Sequence, residues 1–212
     1  MIDIIKYNDG LPISVIIPTT RDKLRKDFFE NYVFPLIEAN QPIEIIINDD
    51  LGGAPKKRNN GFDRSTQQFV FFCDNDILLP KNYLEKLLDA LNKNLNAAYA
   101  YSGYIGIVVD SVNHPLKQNF IIPTIPFNVE RLKVTNYIST MSLIRREKFP
   151  RFDENLKRLQ DYDLWLTMLK NGDKGVAVQN NEFFAYYIDE GITSNTNSEI
   201  DAIMAIRKKH NL

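Results

Sequence analysis

Between Phe69 and Pro80 a wholly apolar run stops at Asp74-Asn75-Asp76, resumes over Ile77 to Leu79 and is closed by proline. A run of this kind fits a strand buried on both faces. Burying a lone carboxylate is costly, so two acids at such a strand's end require cations or hydrogen bonds. At the carboxyl edge of an α/β sheet they would face the crevice where ligands bind. Carboxylates spaced D-x-D suit a hard divalent metal that itself holds a diphosphate. A polar strand-to-loop transition with solvated acids is the plainer alternative, and a short motif does not separate the two.

The same pattern recurs upstream. Residues 13–18 read as a buried, β-branched strand closed by Pro18, followed by the polar loop Thr19-Thr20-Arg21-Asp22. Residues 43–47, Ile43-Glu44-Ile45-Ile46-Ile47, read as a second strand that runs into Asn48-Asp49-Asp50. Between the runs, Phe28, Phe29, Tyr32, Val33, Leu36 and Ile37 repeat at helical spacing, and residues 56–64 begin a second helix after the turn Gly52-Gly53-Ala54-Pro55. After Pro80, Leu84, Leu87, Leu88 and Leu91 mark a third helix. Strands alternating with helices indicate a parallel α/β sheet with crossover connections. The polar ends at Thr19, Asp49 and Asp74 would then converge on one edge.

The second half is less regular. One or two strands are expected over 97–109, a loop-rich insertion over 111–128, and a strand over 138–144. A short helix is expected over 161–170, strands over 176–178 and 183–188, and a last helix over 199–209. The segment Gln160-Asp161-Tyr162-Asp163 admits two readings: a helix start, with Asp161 as N-cap and Asp163 favoured by the helix dipole, or a general base at the crevice mouth. Trp165, Met168 and Leu169 read as core.

Several classes are disfavoured. Lys+Arg (26) and Asp+Glu (27) nearly cancel, so there is no global field for a nucleic-acid backbone. The single Cys73 allows no internal disulfide, lies inside an apolar run and suits a reducing, cytosolic compartment. No stretch reaches the roughly 20 apolar residues that span a bilayer, and the first residues lack a signal-peptide pattern. His114 and His210 have no metal-ligand partner at useful spacing, which disfavours zinc. Neither G-x-G-x-x-G nor a P-loop nor G-x-S-x-G is present.

In order, I-S-V-I-I-P-T-T at 13–20, E-I-I-I-N-D-D at 44–50, K-R-N-N-G at 57–61, F-C-D-N-D-I-L-L-P at 72–80 and F-D-E-N-L…Q-D-Y-D-L-W at 152–165 resemble the GT-A glycosyltransferases of family 2. The resemblance covers nearly the whole chain. It implies a GT-A (Rossmann-like) three-layer α/β/α sandwich with a mostly parallel central sheet, in one domain. Residues 1–107 would form its nucleotide-sugar-binding half and 108–212 its acceptor-binding half. It implies an inverting transfer from a nucleotide-diphosphate sugar, most often UDP-linked, with Mn²⁺ or Mg²⁺. Pro18, Thr19, Asp49, Arg58, Asp74 and Asn75 would contact the nucleotide, Asp74 and Asp76 the metal, and Asp161 would be the general base.

Three departures from the family pattern stand out. Gln160 replaces the usual Glu, which removes a charge and would lower the base's pKa. The second strand ends in N-D-D-L-G rather than D-D-G-S. Tyr187-Ile188-Asp189-Glu190-Gly191-Ile192-Thr193 places Asp189 near the usual His, as a substitute metal ligand or a turn residue. The implied acceptor is a saccharide or lipid-linked saccharide of surface polysaccharide or glycoconjugate synthesis, and the implied location is cytoplasmic, with peripheral contact at the inner membrane face. Two other classes compete: a non-catalytic nucleotide-sugar-binding module, and a nucleotidyltransferase, which the missing glycine-rich phosphate loop disfavours.

Overall fold

The computed structural model describes residues 2–20, 23–109, 116–188 and 196–212. Its strands are β1 (Ile2–Lys6), β2 (Leu11–Pro18), β3 (Pro42–Asn48), β4 (Phe69–Phe72), β5 (Ile77–Leu78), β6 (Tyr99–Tyr101), β7 (Tyr104–Val109), β8 (Leu116–Ile122), β9 (Leu143–Arg145), β10 (Gly175–Ala177) and β11 (Phe183–Ile188). The helices are α1 (Lys23–Phe28), α2 (Phe34–Glu38), α3 (Ala54–Arg64), α4 (Tyr83–Lys93), α5 (Val129–Val134), α6 (Gln160–Lys170) and α7 (Thr196–His210). A π-turn over Phe29–Val33 joins α1 to α2, with Phe34 N–H bonded to Phe29 O. Pro35, which has no N–H to continue the regular ladder, follows immediately.

The central sheet runs β1-β3-β2-β4-β9-β6-β10. β3, β2, β4, β6 and β10 share one direction, and β1 and β9 oppose it. Alternation along the strands makes two cores. Ile13, Val15, Ile17, Phe69 and Phe71 face one side and pack with Val33, Ile37, Leu84, Leu87 and Leu91 of the first-half helices. Ile16, Val70 and Phe72 face the other and pack with Leu132, Trp165, Met168 and Ile206 of α5, α6 and α7. The result is three layers with helices on both faces of the sheet. Trp165 anchors the second core, stacked on Tyr99 with ring centroids 4.6 Å apart and its indole N–H donating to Ile138 O at 2.8 Å. Cys73 is buried in the first core and burial pushes its thiol up, as for an inert core residue.

A second sheet, β5-β11-β7-β8, stands beside the first. It corrects the expectation of a loop-rich insertion over 111–128, because β8 pairs antiparallel with β7 there. Lys117, Gln118 and Asn119 interrupt the apolar signal in the sequence, yet an edge strand tolerates them. Gly106 lies opposite Phe120, and a Cβ at Gly106 would meet the Phe120 ring at 2.1 Å, so the ring can lie over this position only while it is glycine. Two other differences are smaller. The strand expected over 138–144 is only β9, because Ser139, Thr140 and Ser142 form local bonds instead of a ladder: Ser142 N–H to Thr140 O at 2.7 Å and Ser142 Oγ to Ser139 O at 2.7 Å. No element is assigned to residues 2–6 from sequence, whereas β1 there pairs antiparallel along β3.

Candidate active site

The three parallel strands β2, β3 and β4 deliver their carboxyl ends side by side, with Pro18 opposite Asn48 and Ile16 opposite Phe72. Thr19 continues from β2, its N–H bonded to Asn48 O at 2.9 Å. Asn75, buried in the turn after β4, donates to Thr19 Oγ1 at 3.0 Å. The two strand ends are therefore tied through side chains. Asp49 sits half-buried where β3 ends. The next acid, Asp50, accepts from Asn60 at 3.2 Å and, through its N–H, donates to Asn48 Oδ1 at 2.9 Å.

Helix α3 supplies the cations. Gly61 lets it approach the sheet, since a Cβ there would fall 2.4 Å from Ile16 Cγ2. This close approach buries Lys57, Arg58 and Asn59. Lys57 Nζ donates to Thr19 O at 2.7 Å. Asn59 grips the second half, donating to Phe152 O at 2.9 Å and Glu154 Oε1 at 3.0 Å and accepting from Phe152 N–H at 3.0 Å. Arg58 lies over the Phe152 ring, 5.3 Å from its centroid. One of its terminal nitrogens bonds Asp74 Oδ1 at 2.5 Å, and the other bonds Gln160 Oε1 at 3.2 Å. Its Nε is buried with no hydrogen-bond partner. A guanidinium held in this way ties the acid at the end of β4 to the first turn of α6.

That turn begins unusually. Leu159 precedes α6 in the left-handed region (φ 53°), a conformation that costs an L-residue with a Cβ about 1–2 kcal/mol, and no side chain caps the helix. Asp161 is therefore the second helical residue, not the N-cap. It accepts from Asn136 at 3.0 Å and from Tyr162 N–H at 2.9 Å. Burial raises its carboxyl above the ordinary aspartate value, outweighing these hydrogen bonds and the Arg58 charge, which lower it. The lowering expected from Gln160 is thus overridden by desolvation. Asp163 is no mere dipole partner: it is buried and bonds Lys209 Nζ at 2.9 Å and His210 Nε2 at 2.8 Å. Lys209 also reaches Asp153 at 2.7 Å, so the last turn of α7 fastens α6 and the 152–156 segment.

Of the sequence-derived candidates, Pro18, Thr19, Asp49, Asp74, Asn75 and Asp76 all stand at the carboxyl edge, with Arg58 reaching Asp74 and the residue before Asp161. Asp189 and His114 lie outside the described residues. The structure adds Lys57 and Asn136 to these residues; a lysine beside Arg58 in a helix that packs on a sheet is a sequence clue to the first. Nothing in the sequence links Asn136 to Asp161.

The acids suit one kind of metal. Asp76 is exposed and the Asp74 side chain is 34% exposed. Among the described residues no group of three or more His, Cys, Asp or Glu could hold an ion. Two accessible carboxylates fit a hard cation that takes its remaining oxygens from water and phosphate, as Mg²⁺ does, and do not fit a closed zinc site. No helix among the described residues is long and apolar enough to cross a membrane.

Comparison with known proteins adds to this geometry. The sequence model of the family described as glycosyl transferase family 2 matches residues 22–152. A Bacillus subtilis protein, "Putative teichuronic acid biosynthesis glycosyltransferase TuaG", is 27% identical over 161 residues, which cover 74% of this chain and 62% of that one. An "Uncharacterized glycosyltransferase" of Haemophilus influenzae is 27% identical over 167 residues, covering 72% of this chain and 50% of that one. Among solved structures, S. aureus TarS residues 1–349 superposes with TM-score 0.57 at 14% identity, over 94% of this chain and 65% of TarS. Its complex with UDP superposes at 0.55 and 15% identity, over the same shares of each chain. The shared fold is GT-A. The chain spans less than two thirds of the length of each of these proteins.

Proposed function

The chain belongs to glycosyl transferase family 2, and from that premise we propose that it moves a sugar from a nucleotide-diphosphate donor, a UDP-sugar, to a hydroxyl acceptor with inversion at the anomeric carbon. The observation that carries this reading is the Arg58 bridge, which joins the strand-end acid Asp74 to the turn that presents Asp161. Donor and acceptor chemistry would thus meet in one cleft between the 1–107 and 108–212 halves. TarS has been solved with UDP and with UDP-GlcNAc, which supports a uridine donor here.

Thr19, Asp49, Arg58 and Asn75, with Pro18 shaping the strand end, would hold the base and ribose. Asp74 and Asp76 would hold Mn²⁺ or Mg²⁺, whose charge offsets the diphosphate leaving group. Asp161 accepts the proton of the acceptor hydroxyl. Asn136 and the Tyr162 N–H orient its carboxylate. A raised carboxyl is a stronger base, which suits this task. The hydroxyl then attacks opposite the diphosphate, which inverts the centre. The acceptor would be a saccharide or lipid-linked saccharide in surface polysaccharide synthesis, at the cytoplasmic side of the membrane.

The test is a calorimetric titration with UDP, with and without Mn²⁺, on wild type and Asp76→Ala. Manganese-dependent binding that disappears in Asp76→Ala is expected. Asp161→Asn is expected to keep UDP binding and to lose transfer by about 10²- to 10⁴-fold. Unchanged turnover in Asp161→Asn refutes the base assignment, and absence of UDP binding under both conditions refutes the donor.

A further inference from the structure

Two tyrosines of the second sheet, Tyr104 and Tyr187, are hydrogen-bonded to each other on a strand pair that follows the D-x-D segment. β5 begins immediately after Asp76 and pairs antiparallel with β11, Ile77 opposite Ala185 and Leu78 opposite Phe184. The Tyr186 N–H donates to Asp76 O at 2.9 Å. Tyr187 is the next residue along β11, within electrostatic reach of both acids of the D-x-D segment. Tyr187 Oη donates to Tyr104 Oη at 3.1 Å. Tyr104, the first residue of the neighbouring strand β7, stacks on buried Phe183 with centroids 5.2 Å apart. Phe120, seated over Gly106, packs 5.2 Å from the Tyr187 ring. The rings are thus fixed from beneath while both tyrosines stay half-buried rather than sealed.

The charges around them complete the picture. Tyr187 lies within the fields of Asp74 and Asp76, and Tyr104 lies within that of Asp161. The hydroxyl pair therefore lies within electrostatic reach of both the acids proposed for the donor and the carboxylate proposed for the base. Burial raises both phenols, so both remain neutral. Because Tyr187 donates to Tyr104, the Tyr104 O–H is left to donate onward and the Tyr187 oxygen is left to accept. One donor beside one acceptor matches a sugar hydroxyl, which does both.

We propose that Tyr104 and Tyr187 form a carbohydrate subsite that hydrogen-bonds hydroxyls of a pyranose ring, either the sugar of the donor or that of the acceptor. This rests on the glycosyl-transfer reading above. Tyr104→Phe and Tyr187→Phe remove only the hydroxyls and keep the ring packing, which near-ultraviolet circular dichroism confirms. Affinity for UDP should stay within twofold in both variants. If the donor sugar occupies the subsite, affinity for UDP-glucose, UDP-galactose or UDP-N-acetylglucosamine falls about fivefold to tenfold, the scale of one neutral hydrogen bond. If the acceptor occupies it, donor affinity holds and KM for a methyl glycoside acceptor rises by the same factor. Both variants within twofold of wild type on both measures overturn the proposal. A wild type that binds no UDP refutes the glycosyl-transfer reading separately. The subsite is then read by saturation-transfer NMR with methyl glycosides. A wild-type signal lost in Tyr104→Phe supports it, and no signal, or one that persists in Tyr104→Phe, overturns it.

Discussion

Removing the Asp163 carboxylate should loosen the whole second half. The side chain is 3% exposed and holds two partners, His210 (7% exposed) and Lys209 (42% exposed). Lys209 keeps Asp153 and reaches solvent, so its loss weighs little. His210 has no such outlet. Leaving a buried group without its hydrogen-bond partner costs about 1–3 kcal/mol. With Lys209 discounted, the upper figure, about 3 kcal/mol, applies to Asp163→Ala, because the bond lost by His210 runs to a carboxylate. For a domain of this size each kcal/mol lowers Tm by about 2–4 °C, giving a fall of about 6–12 °C. Asp153→Ala, which removes a more exposed partner of the same lysine, should cost about 1 kcal/mol or less. Differential scanning fluorimetry on both variants decides the matter. A Tm for Asp163→Ala within 2 °C of wild type, or one equal to that of Asp153→Ala, would refute the view that α7 is fastened through a buried carboxylate.

Gly61→Ala should destabilise by about 1 kcal/mol in urea melts, because overpacking against Ile16 outweighs the helix-propensity gain of alanine; a more stable variant would contradict the close α3–β2 approach. Glu44 is buried, and although burial alone would raise its carboxyl, hydrogen bonds from Ser14, Thr66 and Lys6 hold it below its ordinary value. A lowered folded value means stability that is present above the unfolded pKa, near 4.5, and lost as pH falls through the folded one. The urea midpoint of Glu44→Gln should therefore fall less between pH 5 and pH 3 than that of wild type, and equal slopes would exclude this source. The acid limb of kcat/KM should turn at a pH above the ordinary aspartate value of 3.8, because Asp161 is raised, and Asn136→Ala should move it higher still. An acid limb unmoved by Asn136→Ala would show that the contact does not tune the carboxyl.

Strands β2 and β4 of the central sheet were legible because they are buried on both faces: Phe69 to Phe72 is a continuous apolar run, only Ser14 interrupts Ile13 to Ile17, and such runs have few other places to go. In the second sheet β7 and β11 lie within the strands expected over 97–109 and 183–188, whereas β8 falls where a loop was expected. This edge strand carries Lys117, Gln118 and Asn119, and Phe120 lies over Gly106 in the neighbouring strand, a contact that no local spacing announces. The candidate acids could be named from the sequence because parallel strands send their carboxyl ends to one edge. The partners of those acids could not.

What the chain by itself determined, then, is where polar groups interrupt apolar periodicity: at Thr19, Asp49, Asp74, Asp76 and Asp161. Periodicity is a local property, and local spacing decides which residues a strand or helix exposes at its end. The tertiary structure alone decided which of these groups meet. Arg58 reaches Gln160 across 102 positions of sequence, Asn136 reaches Asp161 across 25, and Tyr187 reaches Tyr104 across 83. Such pairings depend on how closely a helix can approach a sheet and on which strands become neighbours, and both are set by packing of the whole core rather than by the residues that touch.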